Sequence, residues 1–382
     1  MRTPVAYLDA VRLNPLDRWH AARDRLFGSG AFRQWATAFP LTRGIARRRA
    51  RAVFDLCAGF VYSQVLSACV RLRLFDILAE RPQTLPLLAR RLELSEEATG
   101  RLLAAAVSLR LVNRRSGERF GLGELGTAIA GNSAIVAMVE HHAALYADLA
   151  DPVALLKGER RDTALATYWP YAGAARPAAL APDRVAAYSS LMSASQSLIA
   201  GEVLAAHDFS QHRCLLDVGG GEGVFLSTVA ARNRDLRLML FDLPAVAELA
   251  RARFAGAGLA GRATATGGDF FVDPLPVGAD VLTLVRVIHD HDDPGALRIL
   301  QAAHRALPAG GTLVVAEPLS GTSGAEPVGD AYFGFYLLAM GSGKVRGFGE
   351  LSRLLHAAGF VQVTPVPTRI PLQTGLVLAR RP

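Results

Sequence analysis

The run Cys214–Leu215–Leu216–Asp217–Val218–Gly219–Gly220–Gly221–Glu222–Gly223, followed by Leu238–Met239–Leu240–Phe241–Asp242, decides how the chain is read. Each part is an apolar run ending in an acid, and the first closes on a glycine cluster. That order predicts strand, tight turn, helix and strand. Gly219 and Gly221 suit such a turn because a side chain would hold the backbone away from a ligand, and Asp242 falls where a carboxylate takes both hydroxyls of a ribose. The stretch therefore reads as a nucleotide site.

Downstream, apolar runs alternate with helical patterns. Strands are expected at Leu215–Val218, Leu236–Phe241, Arg262–Thr266, Val281–Val287, Thr312–Ala316, Gln362–Pro365 and Leu376–Ala379, with helices ending at Ala309–Gly310–Gly311 and Ala358–Gly359. This predicts an α/β fold, a doubly wound, mostly parallel seven-stranded sheet with ligands beyond the carboxyl ends of its strands. A glycine cluster alone resembles a dinucleotide fingerprint. Asp217, two residues before the glycines, tilts the reading toward S-adenosylmethionine: it suits the amino acid end of that cofactor and would repel a pyrophosphate. Gly268–Asp269–Phe270 adds an adenine pocket, the carboxylate accepting from the exocyclic amine and the ring packing on the base.

The fourth strand ends in Val287–Ile288–His289–Asp290–His291–Asp292–Asp293. His289–x–His291–x–Asp293 has part of a metallo-hydrolase spacing, but that pattern wants another histidine where Pro294 stands, so no metal is expected. His289 instead lies on the edge where reacting atoms should be, and imidazole suits a base near neutral pH. Glu317 closes the next strand on the same edge, where it can orient or polarise His289.

Upstream, helical spacing from Phe60 to about Leu78, a turn at Arg81–Pro82–Gln83, helices at Leu85–Leu92 and after Ser95, and a hairpin of Leu111–Asn113 with Arg119–Leu122 predict a winged helix. Arg90, Arg91, Arg101, Arg110, Arg114 and Arg115 invite a nucleic-acid reading, but Glu93, Glu96 and Glu97 would put carboxylates where phosphates should lie. Residues 126–180 suggest short helices and loops over a cavity, and a longer helix from Pro182 to about His207 leads into the glycine motif. The expected divisions are a basic helical arm over 1–55, a winged-helix-like part over 56–180 and a nucleotide-binding part over 181–382.

With 382 residues and 51% hydrophobic composition, the chain has room for two or three cored domains. No run reaches the ~18 uncharged apolar residues of a membrane span, and the N-terminus lacks a signal-peptide core, so a cytoplasmic protein is expected. Cys57, Cys69 and Cys214 read as buried thiols without disulfide or metal roles. The net charge of +8 is concentrated: residues 1–60 hold eleven arginines against four aspartates, an excess of seven. Interleaved with Trp19, Phe27, Phe32, Trp35 and Phe39, these arginines suit either peripheral contact with a membrane face or a helix docked on a partner subunit.

From about Phe60 onward the chain resembles the O-methyltransferase family in which a dimerising winged-helix domain precedes a Rossmann-like S-adenosylmethionine domain. The residues that carry the resemblance are Leu216–Gly223, Phe241–Asp242–Leu243–Pro244, Gly268–Asp269–Phe270–Phe271, His289–Asp290 and Gly310–Gly311–Thr312–Leu313–Val314–Val315–Ala316–Glu317. It implies a homodimer that binds S-adenosylmethionine through Asp217, Gly219, Gly221, Gly223, Asp242, Leu243, Asp269 and Phe270, with Arg286 as a further cofactor contact, and releases S-adenosylhomocysteine. It also implies His289 as base, with Glu317 and Asp290 as its catalytic companions. Two departures stand out. Val345 in Lys344–Val345–Arg346 replaces a second acid common in plant members, and Val285 stands where many carry a lysine, a contact that Arg286 is placed to take over.

Within the family the His–Asp–His–Asp–Asp run, the basic arm and the apolar segment Phe333–Met340 look most like bacterial enzymes that methylate the tertiary 1-hydroxyl of acyclic carotenoids of the demethylspheroidene type. Tyr188, Met192, Phe333, Tyr336 and Met340 are then candidates for the acceptor wall, although the same spacing fits core residues. The same motifs also serve a methyltransferase acting on a phenol, polyketide or tetrapyrrole. A winged-helix regulator binding S-adenosylmethionine is the remaining reading, and a sensor has no need of His289. No nucleic-acid partner is expected.

Overall fold

The computed structural model describes residues 14–169 and 182–382, the side chains of 182–190 and Ala194 excepted. The chain forms two compact units, Met1–Gly126 and Thr127–Pro382.

In the first unit, Asn14 accepts a hydrogen bond from the Leu16 amide and Pro15 occupies the first turn, starting α1 (Pro15–Gly28). Ser29 caps α2 (Gly30–Ala38) in the same way through Phe32. Next, α3 (Arg43–Arg71) runs unbroken for 29 residues. It crosses the division expected at 55/56, because nothing between Gly44 and Gly59 breaks the helical pattern. By length and composition it could cross a membrane, a property that core helices share. The helix expected to continue to Leu78 instead stops at Leu72, where Arg73 turns left-handed at φ 54°, and a separate helix covers Leu74–Glu80. Cys57 lies exposed on α3, not buried as expected, whereas Cys69 and Cys214 are buried.

The winged part has helices at Leu85–Leu92 and Glu96–Ser108, the latter capped by Ser95. The expected hairpin is β2 (Val112–Arg115) with β3 (Arg119–Leu122), and the short β1 (Gln83–Thr84) joins β3 as a third strand. A two-residue strand has no periodicity to read in a sequence. Arg91, Arg101 and Arg110, three of the six arginines that invited a nucleic-acid reading, form ion pairs with Glu80, Glu97 and Glu124.

The second unit is built on a seven-stranded sheet ordered β6-β5-β4-β7-β8-β10-β9. The strands are β4 (Cys214–Val218), β5 (Arg237–Asp242), β6 (Ala263–Gly267), β7 (Val281–Val285), β8 (Thr312–Glu317), β9 (Val361–Val366) and β10 (Gly375–Arg380). Only β10 runs antiparallel to both neighbours. Alternate residues feed two cores, as the strand period of two requires. Leu216, Val218, Leu282, Leu284 and Val315 pack on the helix Asp293–Ala306, while Leu215, Leu240, Val281 and Val314 pack on helices Val224–Arg232 and Pro244–Gly256. The strand expected to reach Val287 ends at Val285 because Arg286 takes φ 56°.

The division expected at 180/181 is not where the structure divides. Helix Ser133–Asp148 belongs to the second unit, where Leu145 shares a core with Leu165, Trp169, Val246, Tyr336 and Met340.

Candidate active site

A cavity opens at the carboxyl ends of β4, β5 and β7. Its polar wall includes Gly219, Gly221, Asp242, Asp269, Arg286 and Asp290, and its apolar wall includes Trp169, Met192, Leu243, Val246 and Phe270.

The glycine turn is tied to the β5 acid. Asp242 accepts from the amides of Gly221 and Leu243, each at 2.7 Å. Burial pushes its carboxyl up to about 6 against those two hydrogen bonds. Gly221 holds φ 58°, and no atom lies within 4 Å of where a Cβ would stand, so the added carbon would project into the open cavity. Asp269 accepts from the Phe271 amide at 2.9 Å and keeps its side chain at the wall beside Phe270.

Asp217 is placed differently from expectation. It is not a wall residue: its side chain turns into the sheet layer, where Oδ1 accepts from the Thr283 hydroxyl at 2.6 Å. Oδ2 is buried without a hydrogen-bond partner among the described residues. Burial pushes this carboxyl up to about 7, opposed by Thr283 and reinforced by the charge of Asp242. Gly223 is also behind the wall, starting helix Val224–Arg232 at φ 79° against the Phe254 ring.

His289 is buried and does not itself line the cavity, whereas its neighbours Asp290 and His291 do. Its Nδ1 meets Glu317 Oε2, and its Nε2 lies 3.1 Å from Asp290 Oδ1. Glu317 is itself fixed, because Oε1 accepts from the amides of Val287 and Ile288 at 2.9 and 2.7 Å. Burial lowers the His289 pKa, and the charges of Glu317 and Asp290 raise it by more, to about 10. A carboxylate thus stands at each ring nitrogen, although Val345 replaces the second acid of plant members. The three residues with metal-like spacing go separate ways: His291 packs edge-on to Phe270 and Phe271, and Asp293 pairs with Lys344 and Arg346.

Arg286 lines the cavity and donates to Ser195 Oγ at 2.8 Å and Gln196 Oε1 at 2.5 Å. Met192 lines the same cavity. Phe333 packs edge-on to His289 at 5.7 Å, at the end of a π-helical turn, Pro327–Phe333. Tyr336 and Met340 are corrections. Both are core residues, and the Tyr336 hydroxyl is used by Trp169 Nε1, which donates to it at 2.7 Å, and by His141 Nε2 at 2.7 Å. The Tyr188 side chain lies outside the described residues.

Sequence reasoning gave no role to Trp169, Gln196 or Arg346. Arg346 is buried and clamps the loop that carries His289, donating to the Ile288 carbonyl at 3.0 Å, the His291 carbonyl at 2.8 Å and Asp293 at 2.9 Å. Its signal was the Lys344–Val345–Arg346 motif; Trp169 and Gln196 had none.

An O-methyltransferase domain matches residues 146–361, and an O-methyltransferase dimerisation domain matches residues 54–130. The chain belongs to this O-methyltransferase family. It is 45% identical to the demethylspheroidene O-methyltransferase of Cereibacter sphaeroides over 94% of both chains. The counterpart from Rhodobacter capsulatus is 41% identical, over 90% of this chain and 85% of that one. Human N-acetylserotonin methyltransferase, solved with S-adenosylmethionine, superposes with a TM-score of 0.72 at 25% identity, over 87% of this chain and 97% of that one.

The residues of this methyltransferase fit S-adenosylmethionine. Gly221 leaves its cradle open, Asp242 has a carboxylate at the wall for ribose hydroxyls, and Asp269 with Phe270 offers an acceptor and a ring for adenine. Gly221→Ala and Gly223→Ala should therefore differ. At Gly223 a Cβ would lie 2.6 Å from the Phe254 ring, so this variant should lose about 1–3 kcal/mol of stability and unfold at lower temperature. Gly221→Ala should lose less stability but more affinity for S-adenosylhomocysteine. Thermal denaturation and equilibrium binding separate the two; equal affinity losses would contradict the assignment.

Proposed function

We propose that this methyltransferase acts on the tertiary 1-hydroxyl of an acyclic carotenoid of the demethylspheroidene type, with His289 as the base. The observation that carries the acceptor is the 45% identity to a demethylspheroidene O-methyltransferase over 94% of both chains. The cavity supports it chemically, because Trp169, Met192, Leu243 and Val246 give an apolar wall on which a polyene fits. We also infer a homodimer through residues 54–130, the span of the dimerisation domain.

Bound S-adenosylmethionine supplies a methyl group on a sulfonium, ready for in-line displacement by an acceptor oxygen. The protein must hold the acceptor and take its proton. An aliphatic alcohol is too weak an acid to ionise first, so proton removal accompanies attack. Nε2 of His289 is the nitrogen that accepts it, and Glu317 keeps the ring oriented through Nδ1. In the structure Asp290 occupies Nε2, which favours the imidazolium. Before the acceptor hydroxyl takes that place, the Nε2 proton passes to solvent and Asp290 moves aside. With Glu317 still on Nδ1, its charge keeps the neutral ring more basic than burial alone would leave it.

Transfer of labelled methyl from S-adenosylmethionine into a panel of hydroxylated acyclic carotenoids, phenols and tetrapyrroles tests the acceptor. The 1-hydroxy carotenoid should have the highest kcat/KM, by at least tenfold. Preference for a phenol or tetrapyrrole would overturn the acceptor while leaving methyl transfer intact.

A further inference from the structure

Residues 14–51 precede the dimerisation domain, which begins at residue 54. They form helices that the protein does not bury: α1 has no buried residue and α2 has only Ala36. Helices of 14 and 9 residues are marginal in water unless an apolar face packs on something, the limit being ~12–15 residues even for favourable sequences. Here that face is a row of aromatic rings. Phe27, Phe32, Trp35 and Phe39 follow one another at centroid spacings of 5.3, 5.5 and 5.1 Å, the last pair stacked. Trp19 is 59% exposed, Trp35 51% and Leu41 82%.

Charge surrounds this row. Nine arginines and two aspartates fall between residues 14 and 51. Among the described residues only Arg23 and Arg51 of these nine have a carboxylate partner. Two guanidinium groups lie on the rings themselves, Arg23 over Trp19 at 5.4 Å and Arg49 over Phe27 at 5.2 Å. Tryptophan and phenylalanine flanked by arginines, most of them without a carboxylate partner among the described residues, form a surface whose complement is apolar just beneath an anionic layer. A second copy of the arm would bring the same positive charge and is a poor complement.

We propose that residues 14–51 dock on the surface of an anionic lipid bilayer, the aromatic row entering the headgroup boundary and the arginines meeting lipid phosphates. The surface is peripheral: the rings lie along the arm rather than spanning. This goes beyond the acceptor reading and does not rest on it, since docking needs no carotenoid.

The test is co-sedimentation of the full-length protein with vesicles of phosphatidylcholine alone or mixed with phosphatidylglycerol. The protein should pellet with the mixed vesicles at low salt, stay in solution with phosphatidylcholine alone, and be released as salt rises. Arg47→Glu with Arg48→Glu should weaken partitioning by more than tenfold, each arginine being worth roughly fivefold at an anionic surface. Trp19→Ala with Trp35→Ala should weaken it while leaving the salt dependence unchanged. Both variants should keep the wild-type mass in sedimentation equilibrium and the wild-type affinity for S-adenosylhomocysteine. Absence of binding to the mixed vesicles at low salt would overturn the proposal, as would wild-type binding by the arginine variant. Loss of the dimer mass in either variant would also overturn it, by assigning the arm to a subunit interface.

Discussion

Replacing His289 with alanine is expected to lower kcat by roughly 10²–10⁴-fold, the usual worth of a positioned base, and to leave the affinity for S-adenosylhomocysteine unchanged. The separation follows from where the ring sits. His289 does not line the cavity, whereas the proposed cofactor contacts Gly221, Asp242, Asp269 and Phe270 do. The loop should keep its shape without the imidazole. Glu317 still accepts from the Val287 and Ile288 amides, and Arg346 still holds the Ile288 and His291 carbonyls. A fall in turnover with intact binding therefore reports lost chemistry rather than a collapsed site. Turnover within a few-fold of wild type would remove His289 from the reaction.

Much of the catalytic unit was legible because its strands are covered on both faces. A central parallel strand buried on both sides reads as a short apolar run, and β4, β7 and β8 are buried along their whole length. Strand-end acids were harder. Asp217 and Asp242 look alike in sequence, yet one turns into the layer toward Thr283 and the other meets the Gly221 amide at the wall. Nothing local distinguishes them. Tyr336 was misread for a related reason: helical spacing marks an inward face without telling a core from a cavity, and its partners Trp169 and His141 are 167 and 195 residues away. The unit boundary failed because an alanine-rich stretch broken by glycine and proline looks like a connection, although its Leu145 and Leu165 complete a core with Val246 and Met340. The placing of the Asp290 carboxylate on Nε2 was visible only in space, since it is set by the turn at Ile288–Asp290.

That placement has a direct consequence for pH. With Glu317 on one ring nitrogen and Asp290 on the other, the His289 pKa is pushed up to about 10, so the ring is protonated at neutral pH and the basic form is scarce. Single-turnover methyl transfer should accordingly rise by about tenfold per pH unit through the neutral and mildly alkaline range, levelling only near that pKa. Asp290→Asn removes one of the two charges that raise the pKa while burial, which lowers it, remains. The rising limb should then move to lower pH.

The decisive measurement is the pH dependence of the single-turnover rate in the wild-type protein and in Asp290→Asn, with cofactor saturating. A rising limb in the wild type, displaced to lower pH in the variant, is the predicted result. A wild-type rate that does not change with pH, or a limb that stays in place without Asp290, would contradict a base held between two carboxylates.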